Sequence, residues 1–91
     1  MELQDIIQDL HLLDQELWTL EDKYKVLSPD FYKAMMAGEL EEFDGDPEFH
    51  DDFIHWLGLY ENKQSLEQQY RNLLRRRHII QQFRASTPST A

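Results

Sequence analysis

Residues 2–26, ELQDIIQDLHLLDQELWTLEDKYKV, decide the fold. Leu3, Ile6, Leu10, Leu13, Leu17, Leu20 and Tyr24 recur at alternating spacings of three and four, which gathers them on one face of an α-helix. Neither Gly nor Pro interrupts the run. Ile7, Leu12 and Trp18 widen or flank that face, so the helix is expected to touch more than one neighbour.

Working outward, Ser28-Pro29-Asp30 reads as a helix start, with Ser28 as cap, Pro29 at the first helical position and Asp30 complementing the positive helix end. The short helix Pro29–Ala37 carries Phe31, Tyr32, Met35 and Met36, and Gly38 stops it. Residues 39–46 read as an acidic loop in which Asp44-Gly45 favours a turn. Asp46-Pro47-Glu48 repeats the cap-plus-Pro signature and opens a second long helix. That helix is predicted to run from Pro47 to about Ala85, with Gly58 its one weak point. Its stripe is Trp56, Leu59, Lys63, Leu66, Tyr70, Leu73, Arg77 and Ile80, and Phe53, Leu57 and Tyr60 form a second apolar strip near its start. Lys63 and Arg77 are expected on the rim, with buried stems and solvated heads.

The predicted fold is therefore all-α: an antiparallel helical hairpin with a short intervening helix and a long, partly overhanging C-terminal helix. It occupies residues 1–85 as one domain, followed by a small polar tail, 86–91, that is expected to be disordered. At 1.5 Å per residue the first helix is about 36 Å long and the last about 58 Å. Antiparallel packing with Tyr24 near the start of the last helix places Leu3 beside residues near 74. Residues from about Arg75 onward then lack an intrachain partner, and the apolar Ile79, Ile80 and Phe83 call for a cover from a second copy or another protein.

Charge is divided as sharply as the helices. Residues 1–62 hold seventeen Asp and Glu against three Lys, a formal charge of -14, while residues 63–91 hold six Lys and Arg against Glu67 alone, a formal +5. The two halves sum to the chain's -9. So polarised a domain favours steered, salt-sensitive association with a charged partner. Its acidic body opposes nucleic acid and anionic lipid and attracts a basic protein. A 91-residue chain that is 41% hydrophobic and 12% aromatic can form one modest core, which a second copy or partner often completes. The chain has no Cys, hence no disulfide framework, thiolate metal site or cysteine nucleophile. No signal peptide and no membrane-length apolar run is apparent, so a cytoplasmic protein is expected.

Several stretches invite chemical readings. Asp51 and His55 are four apart on a helix and could share a metal, and His50-Asp51 suggests the paired ligands of metal phosphohydrolases, with His11 as a further candidate. An acidic first helical turn explains the same residues without a metal. Asp44-Gly45-Asp46-Pro47-Glu48 superficially suggests a calcium loop but has neither the length nor the ligand order of an EF-hand. Arg75-Arg76-Arg77 could touch phosphate, yet three consecutive arginines point in different directions and no helix-turn-helix pattern accompanies them. No catalytic constellation assembles, and the expectation is a protein that is not an enzyme and takes no cofactor or metal.

Leu20-Glu21-Asp22-Lys23-Tyr24, Ser28-Pro29-Asp30-Phe31-Tyr32, Ala37-Gly38-Glu39-Leu40 and Asp52-Phe53-Ile54-His55-Trp56 with Leu59-Tyr60 together resemble a family of small acidic bacterial antitoxins of toxin–antitoxin operons. The resemblance spans Leu20 to Tyr60, its motifs are structural, and the segment from Gly38 to Asp52 is longer here. It implies an all-helical antitoxin that neutralises a cognate toxin, typically a ribonuclease or nucleotidyltransferase, by direct contact. In that reading Glu41, Glu42, Asp44, Asp51 and Asp52 steer the basic toxin, while Arg75, Arg76, Ile79, Ile80 and Phe83 supply the rest of the partner-binding surface. A homodimer through Leu10, Leu13, Leu17, Leu66, Leu73 and the apolar end of the last helix is expected beside it. The competing classes are a helical scaffold or oligomerisation module and a helical metal-dependent hydrolase subunit.

Overall fold

The computed structural model describes residues 2–76 and 79–86. Among them lie five helices and no strand: α1 (Leu3–Tyr24), α2 (Ser28–Met36), α3 (Glu41–Asp44), α4 (Pro47–Arg76) and α5 (Ile79–Ser86). The molecule is a rod of 62 × 21 × 20 Å. The all-α hairpin predicted from the two stripes is the observed fold.

α1 and α4 run antiparallel, and the stripes meet along their seam. Ile6, Leu13 and Leu66 are buried together, with Leu10, Leu59, Tyr70 and Leu73 packed around them. Lys63 reaches from the rim of this seam to Asp14, Nζ to Oδ1 2.7 Å. Counting eleven residues outward from each member of that pair brings Leu3 level with Leu74, the register that the helix lengths predict. A second core fills the other end, where Leu17, Leu20, Phe31, Phe53 and Trp56 are buried between α1, α2 and α4.

The ends of the helices follow local chemistry, with corrections to the predicted bounds. α1 stops at Tyr24 instead of Val26 because Lys25 adopts a left-handed backbone, φ 59°, and donates its N–H to the Glu21 carbonyl. Gly38, φ 74°, ends the α2 region as predicted, since a side chain there would be strained. The acidic loop 39–46 is not wholly irregular: Glu41–Asp44 forms the single turn α3. Asp46 caps α4 as expected, its Oδ1 accepting the Glu48 N–H at 3.0 Å. Ser28, expected as a side-chain cap, belongs to α2 itself and spends its hydroxyl elsewhere.

Three further expectations need revision. Ile7, Leu12 and Trp18 do not widen the buried face but are exposed, Trp18 by 68%. Leu13, Leu17 and Leu66 of the expected dimer seam are buried inside one chain and offer little surface to a second copy, while Leu10 and Leu73 are half-buried. Every described residue of the helix predicted from Pro47 to Ala85 is helical, in α4 and α5, and Arg77 and His78 lie outside the described residues. Neither core cluster draws on α5, yet Ile80, Gln82 and Phe83 each have an interaction within the chain, so the end of the chain is not wholly without intrachain partners. Ser86 closes α5, and the rest of the predicted tail lies outside the described residues.

Ile6 and Trp18 sit on the same helix with opposite burial, which gives a direct test. Ile6→Ala should lower the unfolding free energy by about 2–5 kcal/mol, as removal of buried methyl groups does. Leu13→Asp should do at least as much harm by leaving a charge in the seam. Trp18→Ala should stay within about 0.5 kcal/mol of the parent. Urea denaturation followed by circular dichroism measures all three, and equal effects at Ile6 and Trp18 would contradict the packing.

Candidate protein-interaction site

The acidic segment after Gly38 is also an apolar one. Eight of the fourteen residues from Glu39 to Asp52 are acidic and none is Lys or Arg, but Leu40, Phe43 and Phe49 are interspersed among them. α3 and the first turns of α4 fold these three side chains against the aromatic core. Phe43 meets Phe49 edge-on, ring centroids 5.7 Å apart, and Phe49 packs on Phe53 at 5.9 Å. The turn at Asp44–Asp46 that reverses the chain is pinned on both sides. Asp44 pairs with His50, Oδ1 to Nδ1 2.8 Å, and Asp46 caps α4.

Together with Phe31 and Ala34 of α2, Trp56 of α4, and Tyr24 and Val26 from the end of α1, this segment encloses an open cavity of about 260 Å³. Its wall is almost entirely carbon. The floor is rigid: Trp56 is 1% exposed, stacks on Phe31 with centroids 3.9 Å apart and planes 2° from parallel, and lies 5.7 Å from Tyr24. At the mouth Phe43 is 42% and Val26 41% exposed. Drug-sized ligands occupy cavities of roughly 300–1,000 Å³, so this one suits one or two side chains of a partner better than a cofactor.

The expected site residues divide. Glu41, Glu42, Asp44 and Asp51 are exposed around this apolar mouth's own segment, as a steering surface requires. Asp52 is not part of it. Its carboxylate is half-buried, accepts the Tyr24 hydroxyl and binds Lys23 Nζ at 2.6 Å, while Lys23 also lies 3.7 Å from Glu48. The Lys23 hydrogen bond first, then that of Tyr24, holds the Asp52 carboxyl below the usual carboxylate range. Burial, then the bond to Asp52, pushes the Tyr24 phenol up. Asp52 is thus a clamp between α1 and α4. Arg75 is exposed and Arg76 ends α4, over twenty residues and about 35 Å along the helix from Asp52. Ile79, Ile80 and Phe83 lie farther along the chain on α5, 55%, 48% and 68% exposed. The helix lengths therefore keep Glu41, Glu42, Asp44 and Asp51 apart from Arg75 and from Ile79, Ile80 and Phe83 of α5.

The metal-site readings find no assembled ligand set: among the described residues no three His, Cys, Asp or Glu are gathered to hold an ion. His50, Asp44 and Asp46 already have protein partners. No described helix is long and apolar enough to cross a membrane. The cavity itself escaped the sequence reading, as did the exposed apolar group of Trp18, Val26 and Leu27. Phe43 and Phe49, placed on either side of a turn, are the signal for the first, and the off-stripe position of Trp18 for the second.

No protein-family model, curated protein or solved structure matches the chain.

The clamp predicts a pH dependence. Since the folded pKa of Asp52 lies below its unfolded value, near 3.9 for Asp, the clamp stabilises the fold above that pH and its contribution is lost as pH falls through the folded pKa. Asp52→Asn should lower stability at neutral pH and flatten the loss seen as pH falls below about 4. Tyr24→Phe, which removes one donor, should have a smaller effect of the same sign. Denaturant midpoints measured across that range test this, and parallel curves for parent and Asp52→Asn would remove the clamp from the stability of the fold.

Proposed function

We propose that this chain is a non-catalytic binding protein that neutralises a basic protein partner, in the manner of a toxin–antitoxin pair acting in the cytoplasm. One observation carries the reading: an apolar cavity walled in part by Leu40, Phe43 and Phe49 of the segment that concentrates eight carboxylates. Carboxylates raise the encounter rate with a basic surface, while a desolvated anchor in a cavity slows escape. A partner that handles RNA fits that chemistry, because its RNA-binding surface is itself basic and an acidic protein seated there excludes the substrate. The antitoxin resemblance of Leu20 to Tyr60 supports the same assignment, since all nine residues that line the cavity fall within that span.

The test is expression beside the product of the adjacent gene. That product should be basic, should arrest growth when expressed alone, and should co-purify with this chain. Glu41→Lys with Glu42→Lys should slow association and flatten its salt dependence, because exposed charges act mainly on the encounter. Phe43→Ala should instead speed dissociation, weakening the complex by about 1–3 kcal/mol as loss of an aromatic anchor does. Surface plasmon resonance separates the two rates. A neighbour harmless on its own would end the antitoxin reading. Unchanged dissociation of the Phe43 variant would move the contact away from the cavity.

A further inference from the structure

The cavity and α5 are chemical complements that one chain cannot join. The carboxylate-rich segment 39–52 borders the aromatic hollow through Leu40, Phe43 and Phe49, whereas Arg75 to Arg84 carries four arginines, no acidic residue and the exposed Ile79, Ile80 and Phe83. Trp56 is the cavity residue nearest to α5 along α4, and Arg76 lies twenty residues beyond it, about 30 Å along the axis. From Arg76 the chain reaches Ile79 in three steps, at most ~11 Å, and Phe83 is a further ~6 Å along α5. Even folded straight back, Phe83 stops more than ~10 Å short of its own cavity.

We propose that α5 of one copy seats Phe83 in the cavity of a second copy, and receives the partner's α5 in return. Two rods laid antiparallel bring both contacts into place at once, because cavity and α5 lie toward opposite ends of α4. A two-fold axis then closes the pair with the two contacts identical, leaving nothing open for further growth. Its seam differs from the Leu13, Leu17 and Leu66 stripe, which the single chain already buries. Each contact joins an apolar anchor to a cavity of matching size and sets arginines against the carboxylates of the segment Glu39–Asp52. The proposal stands apart from the identity of any toxin. Where a basic partner uses the same cavity, self-exchange competes with it and sets a threshold for capture.

Sedimentation equilibrium and thiol cross-linking on the full chain decide the matter. At about 100 µM, a concentration that populates any association of micromolar affinity, the parent should sediment as a dimer. Phe83→Asp should weaken dimerisation at least tenfold while its helical content stays that of the parent. Arg84→Glu, which leaves every apolar side chain in place, should weaken it less. Because the chain has no Cys, single thiols report proximity without background. Val26→Cys and Ile79→Cys chains, mixed under mild oxidation, should form the mixed disulfide faster than either forms one with itself. A monomeric parent, a Phe83→Asp variant that still dimerises, or Ile79→Cys chains that prefer each other would each overturn the exchange.

Discussion

The packing around Trp56 is the interaction on which the rest of the molecule depends. Its indole lies between Phe31 and Tyr24, so one side chain of α4 touches both other helices of the aromatic end. Its Nε1 donates to Ser28 Oγ at 2.9 Å, which satisfies the one polar group that burial would otherwise strand. A buried donor without a partner costs about 1–3 kcal/mol, so this bond determines where α2 can sit. Glu21 adds a second tie, accepting the Ser28 backbone N–H at 2.7 Å and so supplying the cap that α2 lacks from its own side chains. With α2 held in this way, Phe31 packs on Phe53 with ring centroids 5.5 Å apart, and both join Ala34 and Phe49 in the wall of the hollow.

Electrostatics divides into local clamps and a long-range field. Asp52 with Lys23 and Tyr24, and Asp14 with Lys63, fasten α4 to α1 at two heights of the hairpin. The Asp14 hydrogen bond, opposed by burial, raises Lys63 above the usual lysine range. These pairs draw on few of the charges. Most of the seventeen acidic residues in the first 62 positions face solvent, where they repel one another and attract any basic surface. The same charge that makes association with a basic partner fast also works against a tightly closed acidic end, in keeping with the single-turn α3 and the open hollow beside it.

Much of the architecture was readable in advance because its period is that of a helix. Leu3, Ile6, Leu13, Leu17 and Leu20 are all buried, as their spacing requires, and Asp46-Pro47 starts α4 with the predicted capping bond. The errors have one origin. Periodicity identifies a face but not the width of the neighbour that covers it, so Ile7, Leu12 and Trp18, expected to widen or flank that face, are exposed. A serine before proline favours a cap locally, but a buried tryptophan competes for the same hydroxyl and wins, because its N–H has no water to turn to. The charges of the candidate site were legible and its shape was not. Glu41, Glu42, Asp44 and Asp51, singled out by sequence, are exposed in the fold, while Asp52 counted as one more carboxylate until the fold set it against Lys23 and Tyr24.

Sequence alone determined the number of long helices, their antiparallel register and the separation of acidic from basic charge, since all three follow from residue spacing along the chain. Tertiary structure decided which carboxylates remain on the surface and whether the aromatic residues leave a hollow. Both depend on contacts between residues about thirty positions apart, such as Tyr24 with Asp52 and Ser28 with Trp56. No local pattern encodes those contacts, because they are set by how α1 and α2 each pack against α4, where the buried indole takes its hydrogen bond and Asp52 takes that of Tyr24.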